Sequence, residues 1–552
     1  MASANLPLDV VLPLVVASAM LMALALLRVA DASLRSWPFA VALLSGWVAI
    51  VVEQPLVASM LTAVWLLATL MIAARGATRL IGFGVRPLHE LAQSVAMLYL
   101  TVGAMWLLAW RAGWTIMGFP PVWGALTAAH FHCAGCGLLL AISLLARHRP
   151  GRLIHAAAVL AIVAIPLTAI GIAASRPLER TAALITVAAG LLYGIAALRG
   201  AALSRWRQLA LRVSGATALL TMSLAANYAV GYVSTHRPLT LGQWSAIETM
   251  IITHGAGNAL LLLGGALLAW RGLATAQTSA ALPPFSRFAG TGPIAGDFFA
   301  RHDALDARRT AHGLVDELDD LQSPELRTAA VHPDVAAFYQ RTADHALIVT
   351  PHWQPGFVLG GRIWSRIAAR LRQLQLPTKA QDPRPVASAI VALQQPLDGR
   401  HLPRAWIRTY PDGQALYVAA YATHTAGDRS FMNIAFPLPW SNLTSVLHMR
   451  SIDGNAIEVS TRLPASPHAA GIWLVLRFGR WQLPIRLPMH EAVYVWPPGH
   501  PAIPADYAVQ PGVDASCLAR HKLHIFGIHY LTLDYTIYRT ITQALSGDHR
   551  SP

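Results

Sequence analysis

The sequence predicts an α-helical transmembrane bundle of about nine spans, followed by a cytoplasmic α+β domain with a curved antiparallel sheet or barrel-like core. Three observations predict it. Long apolar runs crowd the chain before Thr275 and almost vanish after it. Arginines fall unevenly at the ends of those runs. From about residue 387 the apolar period becomes two, the period of a half-buried strand.

Composition agrees. The 552 residues are 55% hydrophobic and 12% charged, where a soluble domain has roughly 25% charged residues. The net charge of +15 is almost all arginine, since lysine occurs only at Lys379 and Lys522. Such a charge can serve nucleic acid. Here many arginines flank apolar runs, as in membrane proteins, so no nucleic-acid partner is expected. Three cysteines, Cys133, Cys136 and Cys517, make no disulfide framework. The first apolar run has no basic flank and no cleavage site, so it reads as a retained helix.

A helix needs about 20 apolar residues to cross a bilayer. Candidate spans cover residues 8–28, 38–53, 55–74, 90–110, 124–146, 153–174, 180–198, 209–232 and 246–270. Only Glu53, Gln54 and Pro55 separate the second from the third, so eight spans is the alternative count. With the N-terminus outside, the inner connections hold twelve arginines and the outer ones four. That asymmetry fits the positive-inside rule and a bacterial inner membrane. Trp106, Trp110, Trp114 and Trp123 gather at one outer connection, as an aromatic belt would. An odd span count places the second half in the cytoplasm.

The expected domains are a membrane unit over 1–272, a Pro-, Gly- and Ala-rich linker over 273–300, and a cytoplasmic unit over 301–552. Residues 357–375 form a basic amphipathic helix. Its stripe of Ile363, Trp364, Ile367, Leu371 and Leu374 packs on its own domain or lies on lipid. Pro411-Asp412-Gly413 and Asp453-Gly454 are hairpin turns among nine to eleven short strands.

Polar residues inside a span are costly and mark function by default. The fifth span carries His130-Phe131-His132-Cys133-Ala134-Gly135-Cys136. On a regular helix its two histidines and two cysteines share an arc of about 160°. His132 and Cys136, four apart, are the better-placed metal pair. The ninth span carries His254 and Asn258, also four apart, between small residues. Asn227, Tyr228 and Glu53 fall at a similar outer depth. A second set, His89, Glu90 and Gln93, lies at the inner end of the fourth span. The outer layer reads as a substrate or proton path, as a site for haem or a transition metal, or as interhelical hydrogen bonding. In the second half His490, Glu491, His521, His524 and His529 read as sheet-face residues. No P-loop, nucleophile elbow or dinucleotide motif occurs, which argues against an ATP-driven pump.

The segments TAAHFHCAGCGLLL, ITHGAGNALLLLGG, FYQRT, FPLPWSNLTSVL and HIFGIHYLTLDY resemble the YndJ-like family of bacterial membrane proteins. The resemblance implies a membrane half and a soluble half, with the label of transporter but no mechanism. It carries over His130, His132, His254 and Asn258 only. It also implies aromatic residues where this chain has Cys133 and Cys136, which sets a cysteine-bound metal apart from the family's shared chemistry. The functional expectation is a small-molecule or ion transporter in the lipid bilayer, with a ligand-binding cytoplasmic domain. A metal- or haem-dependent redox enzyme and a membrane sensor are the alternatives.

Overall fold

A computed structural model describes residues 8–540 apart from 86, 117, 234–237, 241–243, 274–281, 378–383, 464–468 and 480. The chain divides into two compact units, 1–278 and 279–552.

Among the described residues, nine α-helices build the first unit. They are α1 Leu8–Ala30, α2 Trp37–Val51, α3 Pro55–Phe83, α4 Leu88–Arg111, α5 Pro121–His148, α6 Arg152–Ala174, α7 Arg176–Leu198, α8 Arg205–Val233 and α9 Ala246–Trp270. Every predicted apolar run is therefore helical. Among the described residues only seven are long and apolar enough to cross a membrane; α2 and the apolar part of α6, Arg152–Thr168, are shorter. Extended backbone at Val52 and Gln54 stops α2, and Pro55 opens α3. The pair is a tight hairpin, tied by Ser45 Oγ donating to the Leu61 carbonyl at 2.8 Å. Leu44, Leu56, Met60, Leu67, Met71 and Leu220 stand exposed on the unit's outside. Water would penalise such a surface, and lipid accepts it.

Ionic groups hold one end of the bundle. Glu90, almost fully buried, receives the guanidinium of Arg79 and, at 2.9 Å, that of Arg147. Gln93 accepts from the same Arg147 at 2.9 Å, and Arg75 pairs with buried Asp31 at 2.6 Å. The set His89, Glu90 and Gln93 is thus part of a clamp between α3, α4 and α5.

Among the described residues twelve strands build the second unit: β1 His345–Trp353, β2 Arg384–Ala392, β3 Arg404–Thr409, β4 Ala415–Ala426, β5 Arg429–Leu438, β6 Ser441–Ile452, β7 Ala456–Ser460, β8 Gly471–Phe478, β9 Trp481–Arg486, β10 Met489–Trp496, β11 Cys517–Ile525 and β12 Ile528–Arg539. The hydrogen-bonded order β5-β4-β3-β2-β1-β12-β11-β10-β7-β6 returns to β5 through β5–β6 pairing. The result is a closed antiparallel barrel of ten strands. The hairpin β8–β9 branches from β6, whose first half pairs with β8 and whose second half pairs with β7. This forking of β6 explains a strand count above the nine to eleven expected. Asp453 and Gly454 both have positive φ, as do Phe526 and Gly527. The first pair belongs to the three-residue loop between Ile452 and Ala456, the second is the two-residue loop between Ile525 and Ile528, and left-handed backbone suits both.

Helices α10 Pro333–Gln340 and α11 Val358–Leu371 pack beside the barrel. Within the Pro/Gly-rich 273–300 stretch, Phe288, Ile294 and Phe298 are buried against barrel residues such as Val418 and Leu393. Composition marks the prolines and glycines of that stretch but not its aromatic anchors.

Two predictions follow from buried charge. Replacing Glu90 by Ala leaves Arg79 and Arg147 without their anion. We expect a loss of about 3–5 kcal/mol, read as a lower thermal midpoint of the full chain in detergent; an unchanged midpoint contradicts the clamp. In the barrel, burial pushes His424 down to about 4; burial, with Arg462, does the same to His490. Unfolded chain binds those protons nearer pH 6.5, so stability is full above that pH and falls as pH drops toward 4. Protection of β4 and β10 amides from hydrogen exchange, corrected for intrinsic rates, should decline over that window. Equal protection at pH 7 and pH 4.5 rules the effect out.

Candidate functional site

Two helices of the membrane unit depart from α geometry at the two His-containing segments. In α5 residues Phe131–Leu138 are π-helical, and in α9 residues Ile251–Leu262 are π-helical. Hydrogen bonds there run i→i+5, so the helix widens while its backbone groups stay paired. Pairing is obligatory in lipid. The segments are dense in Gly and Ala: Ala134, Gly135 and Gly137 in one, Gly255, Ala256, Gly257 and Ala259 in the other. Small side chains make room for the wider turn.

Widening turns the side chains of both segments toward one cavity of about 320 Å³ within the unit. His130, Cys133, Tyr228, His254 and Asn258 line it, with α1, α4, α6, α7 and α8 completing the walls. Trp106, Trp123 and Phe119 lie on its surface, and most of the remainder is Leu, Val, Ile, Met and Ala. Four polar side chains escape a reading of single spans. Thr168 and Thr186 face the space and share a hydrogen bond of 3.2 Å between α6 and α7. Glu179 and Arg180, at the start of α7, also line it.

His254 is held firmly. The Thr221 carbonyl lies 3.1 Å from His254 Nδ1, an arrangement that places the proton on Nδ1 and leaves Nε2 as acceptor. Asn258 Nδ2 lies across the ring, 3.3 Å from Nδ1 and 3.4 Å from Nε2, and in that tautomer only Nε2 can accept from it. Asn258 Oδ1 in turn lies 2.6 Å from Thr221 Oγ1. Thr221 on α8 thus orients both members of the pair. His130 differs, because its buried Nε2 has no hydrogen-bond partner among the described residues.

The remaining candidates lie elsewhere. His132 points away from the cavity. Its Nδ1 lies 2.7 Å from the Ala128 carbonyl, and its Nε2 accepts the Trp65 indole N–H at 3.2 Å. Its ring stacks on Trp65, and a Cβ at Gly103 of α4 would come within 2.7 Å of Nδ1. Both ring nitrogens of His132 thus have partners within the protein. The i, i+4 spacing suggested the His132–Cys136 metal pair, but it could not show that Trp65 would take the ring. Cys136 is fully buried in the helix core. Among the described residues no three His, Cys, Asp or Glu side chains converge as metal ligands. Asn227 Oδ1 accepts the Leu239 N–H at 2.9 Å and so fastens a connection. Glu53 is exposed in the α2–α3 turn.

Comparison with known proteins agrees with this architecture. The model of the YndJ-like protein family matches residues 6–262. Those residues, which hold both π-helical segments, belong to the YndJ-like family. The chain is also 27% identical over 478 residues to the uncharacterized membrane protein YndJ of Bacillus subtilis (strain 168), covering 86% of this chain and 83% of that one. The likeness thus runs past the membrane unit into the barrel. No solved structure gives a significant match. That relative is a membrane protein, and seven described helices of this chain are long and apolar enough to cross a membrane.

The histidines should differ in reactivity. Carbethoxylation of the full chain in detergent, read by peptide mass spectrometry, should modify His130 well before His132. Modification of His132 at the same rate would show its nitrogens to be free.

Proposed function

We propose that this YndJ-like protein crosses the bacterial inner membrane nine times, N-terminus outside and barrel in the cytoplasm, and that its intramembrane cavity binds and transfers a small molecule. The observation that carries the reading is the convergence of His130, Tyr228, His254 and Asn258 on one largely apolar cavity. Its volume of about 320 Å³ lies at the low end of the roughly 300–1,000 Å³ range of ligand pockets. An apolar wall with a few convergent polar groups suits a small, mostly apolar molecule that accepts or donates one or two hydrogen bonds. A hydrated ion would find too few partners there. The orientation rests on the twelve-to-four arginine asymmetry, and the count of nine on the two shorter helices crossing with the seven long ones. π-Helical stretches recur at functional sites because they aim side chains that a regular helix cannot.

Native mass spectrometry of the full chain released from lipid nanodiscs tests the reading. We expect a co-purifying small molecule in the wild type and its loss, by about tenfold or more, in His254→Ala, as removal of a buried hydrogen-bonding group implies. His132→Phe, which alters packing outside the cavity, should retain it. A wild type carrying no small molecule, or equal retention in His254→Ala, contradicts the proposal.

A further inference from the structure

The barrel encloses a second cavity, of about 570 Å³, with walls that are almost wholly apolar and aromatic. Leu347, Leu447, Val459, Leu533 and Ile537 are typical of it. Three ionisable side chains break that lining: Arg408, Glu491 and His521. Glu491 and His521 satisfy one another, with Oε2 and Nε2 2.6 Å apart, and Ser445 donates to the second Glu491 oxygen. Burial alone would raise the Glu491 carboxyl; the His521 and Ser445 hydrogen bonds outweigh it and hold the group below the usual carboxylate range.

Arg408 has no such partner. It is 6% exposed and makes no ion pair among the described residues. Its guanidinium carbon sits 3.4 Å over the Trp406 ring and 4.4 Å over the Tyr417 ring. Aromatic faces and the Tyr535 hydroxyl, which hydrogen-bonds the guanidinium, offset part of the cost of burying the cation, but they supply no negative charge and leave Nε unpartnered. Two neighbours share the deficit. Trp406 Nε1 on the same strand and Ser388 Oγ, opposite Arg408 in the β2–β3 register, are buried without partners, as is Arg408 Nε. The other arginines buried to a similar degree each have a carboxylate: Arg400 has Asp398 at 2.6 Å, Arg404 has Asp316 at 2.9 Å, and Arg520 has Asp534 at 2.7 Å. Arg408 is therefore a buried cation with no carboxylate partner among the described residues.

We propose that the barrel is a binding site for a single-chain amphiphile with a monoanionic carboxylate head, such as a long-chain fatty acid. The head pairs with Arg408, within reach of the Trp406 and Ser388 donors, and the alkyl chain fills the apolar interior. One cation and two neutral donors match one negative charge. Glu491 in the same cavity disfavours a dianionic head. The mouth is roofed by α11, from which Gly360, Gly361 and Trp364 face inward. Its outer side exposes Leu359, Ile363 and Ile367 beside Arg362, Arg366 and Arg370. That surface suits anionic lipid and makes a bilayer a credible source of ligand.

The test uses the full chain in amphipol, with displacement of a fluorescent dansyl fatty acid as the readout. Palmitate should displace the probe, and hexadecanol, which has the same chain without the charge, should bind about tenfold or more weakly, the scale of a lost charge-assisted hydrogen bond. Arg408→Gln should weaken palmitate by a similar factor and leave hexadecanol unchanged, whereas Arg408→Lys should recover part of the loss. Equal weakening of both ligands, or no effect of Arg408→Gln on palmitate, overturns the proposal. A diazirine-labelled fatty acid on the wild type needs no variant. Cross-links on peptides of β3, β4 or β12 support the site, and cross-links confined to residues 8–270 overturn it. Palmitate offered free or in phosphatidylglycerol vesicles separates the sources. Uptake from the vesicles supports capture from a bilayer, uptake only of the free acid supports capture from solution, and uptake of neither refutes the site.

Discussion

Backbone N–H and C=O groups with no water to turn to are the constraint on which both units depend. In lipid an unpaired peptide group costs several kcal/mol, so a spanning segment must pair its own. The membrane unit meets that demand with helices even where it needs an irregular surface. Over Phe131–Leu138 and Ile251–Leu262 the ladder shifts to π rather than breaking. The barrel meets the corresponding demand for strands by closing β5 onto β6, which leaves its ring without an edge.

A second regularity concerns buried charge. Most buried ionic groups of the chain are fully matched: Glu90 by two arginines, Asp31 by Arg75, Asp398 by Arg400, Asp534 by Arg520. Matching of this kind holds elements together, and removing one partner leaves the other stranded. His130 in the membrane cavity and Arg408 in the barrel each line a cavity and have a buried nitrogen without a partner among the described residues. Both face cavities large enough for a ligand. In both units a hydrogen-bonded scaffold surrounds a largely apolar cavity lined by a few polar groups.

Much of the architecture was legible in the sequence because lipid and pleated sheet impose simple periods. Apolar runs located all nine helices, and Asp453-Gly454 and Gly527 marked turns that adopt the positive φ such hairpins need. Span count was less legible, since length alone separates α2, at 15 residues, from a full crossing. His130, His254, Asn258 and Tyr228 were named from depth, and they do share a cavity. Depth could not say which way a ring points. A regular 100° rotation placed His132 and Cys136 together as ligands, whereas the helix is π there and Trp65, 67 residues away in sequence, takes the His132 ring. Thr221, which orients His254 and Asn258, and Glu179 with Arg180 were missed because each looks ordinary on its own span. Density of Gly and Ala around the histidines was the available signal for the π turns. In the barrel the alternating pattern could not reveal that Arg408 lacks an anion, since that depends on the register of β2, β3 and β4.

The most direct test of the central claim is a cryo-electron microscopy map of the full chain in lipid nanodiscs, resolved well enough to trace side chains over residues 121–148 and 246–270. The account predicts i→i+5 backbone pairing in both segments, with His130 and His254 facing one shared cavity and the His132 ring against Trp65. Two regular α-helices that turn His130 or His254 toward lipid, with no cavity between them, would contradict it.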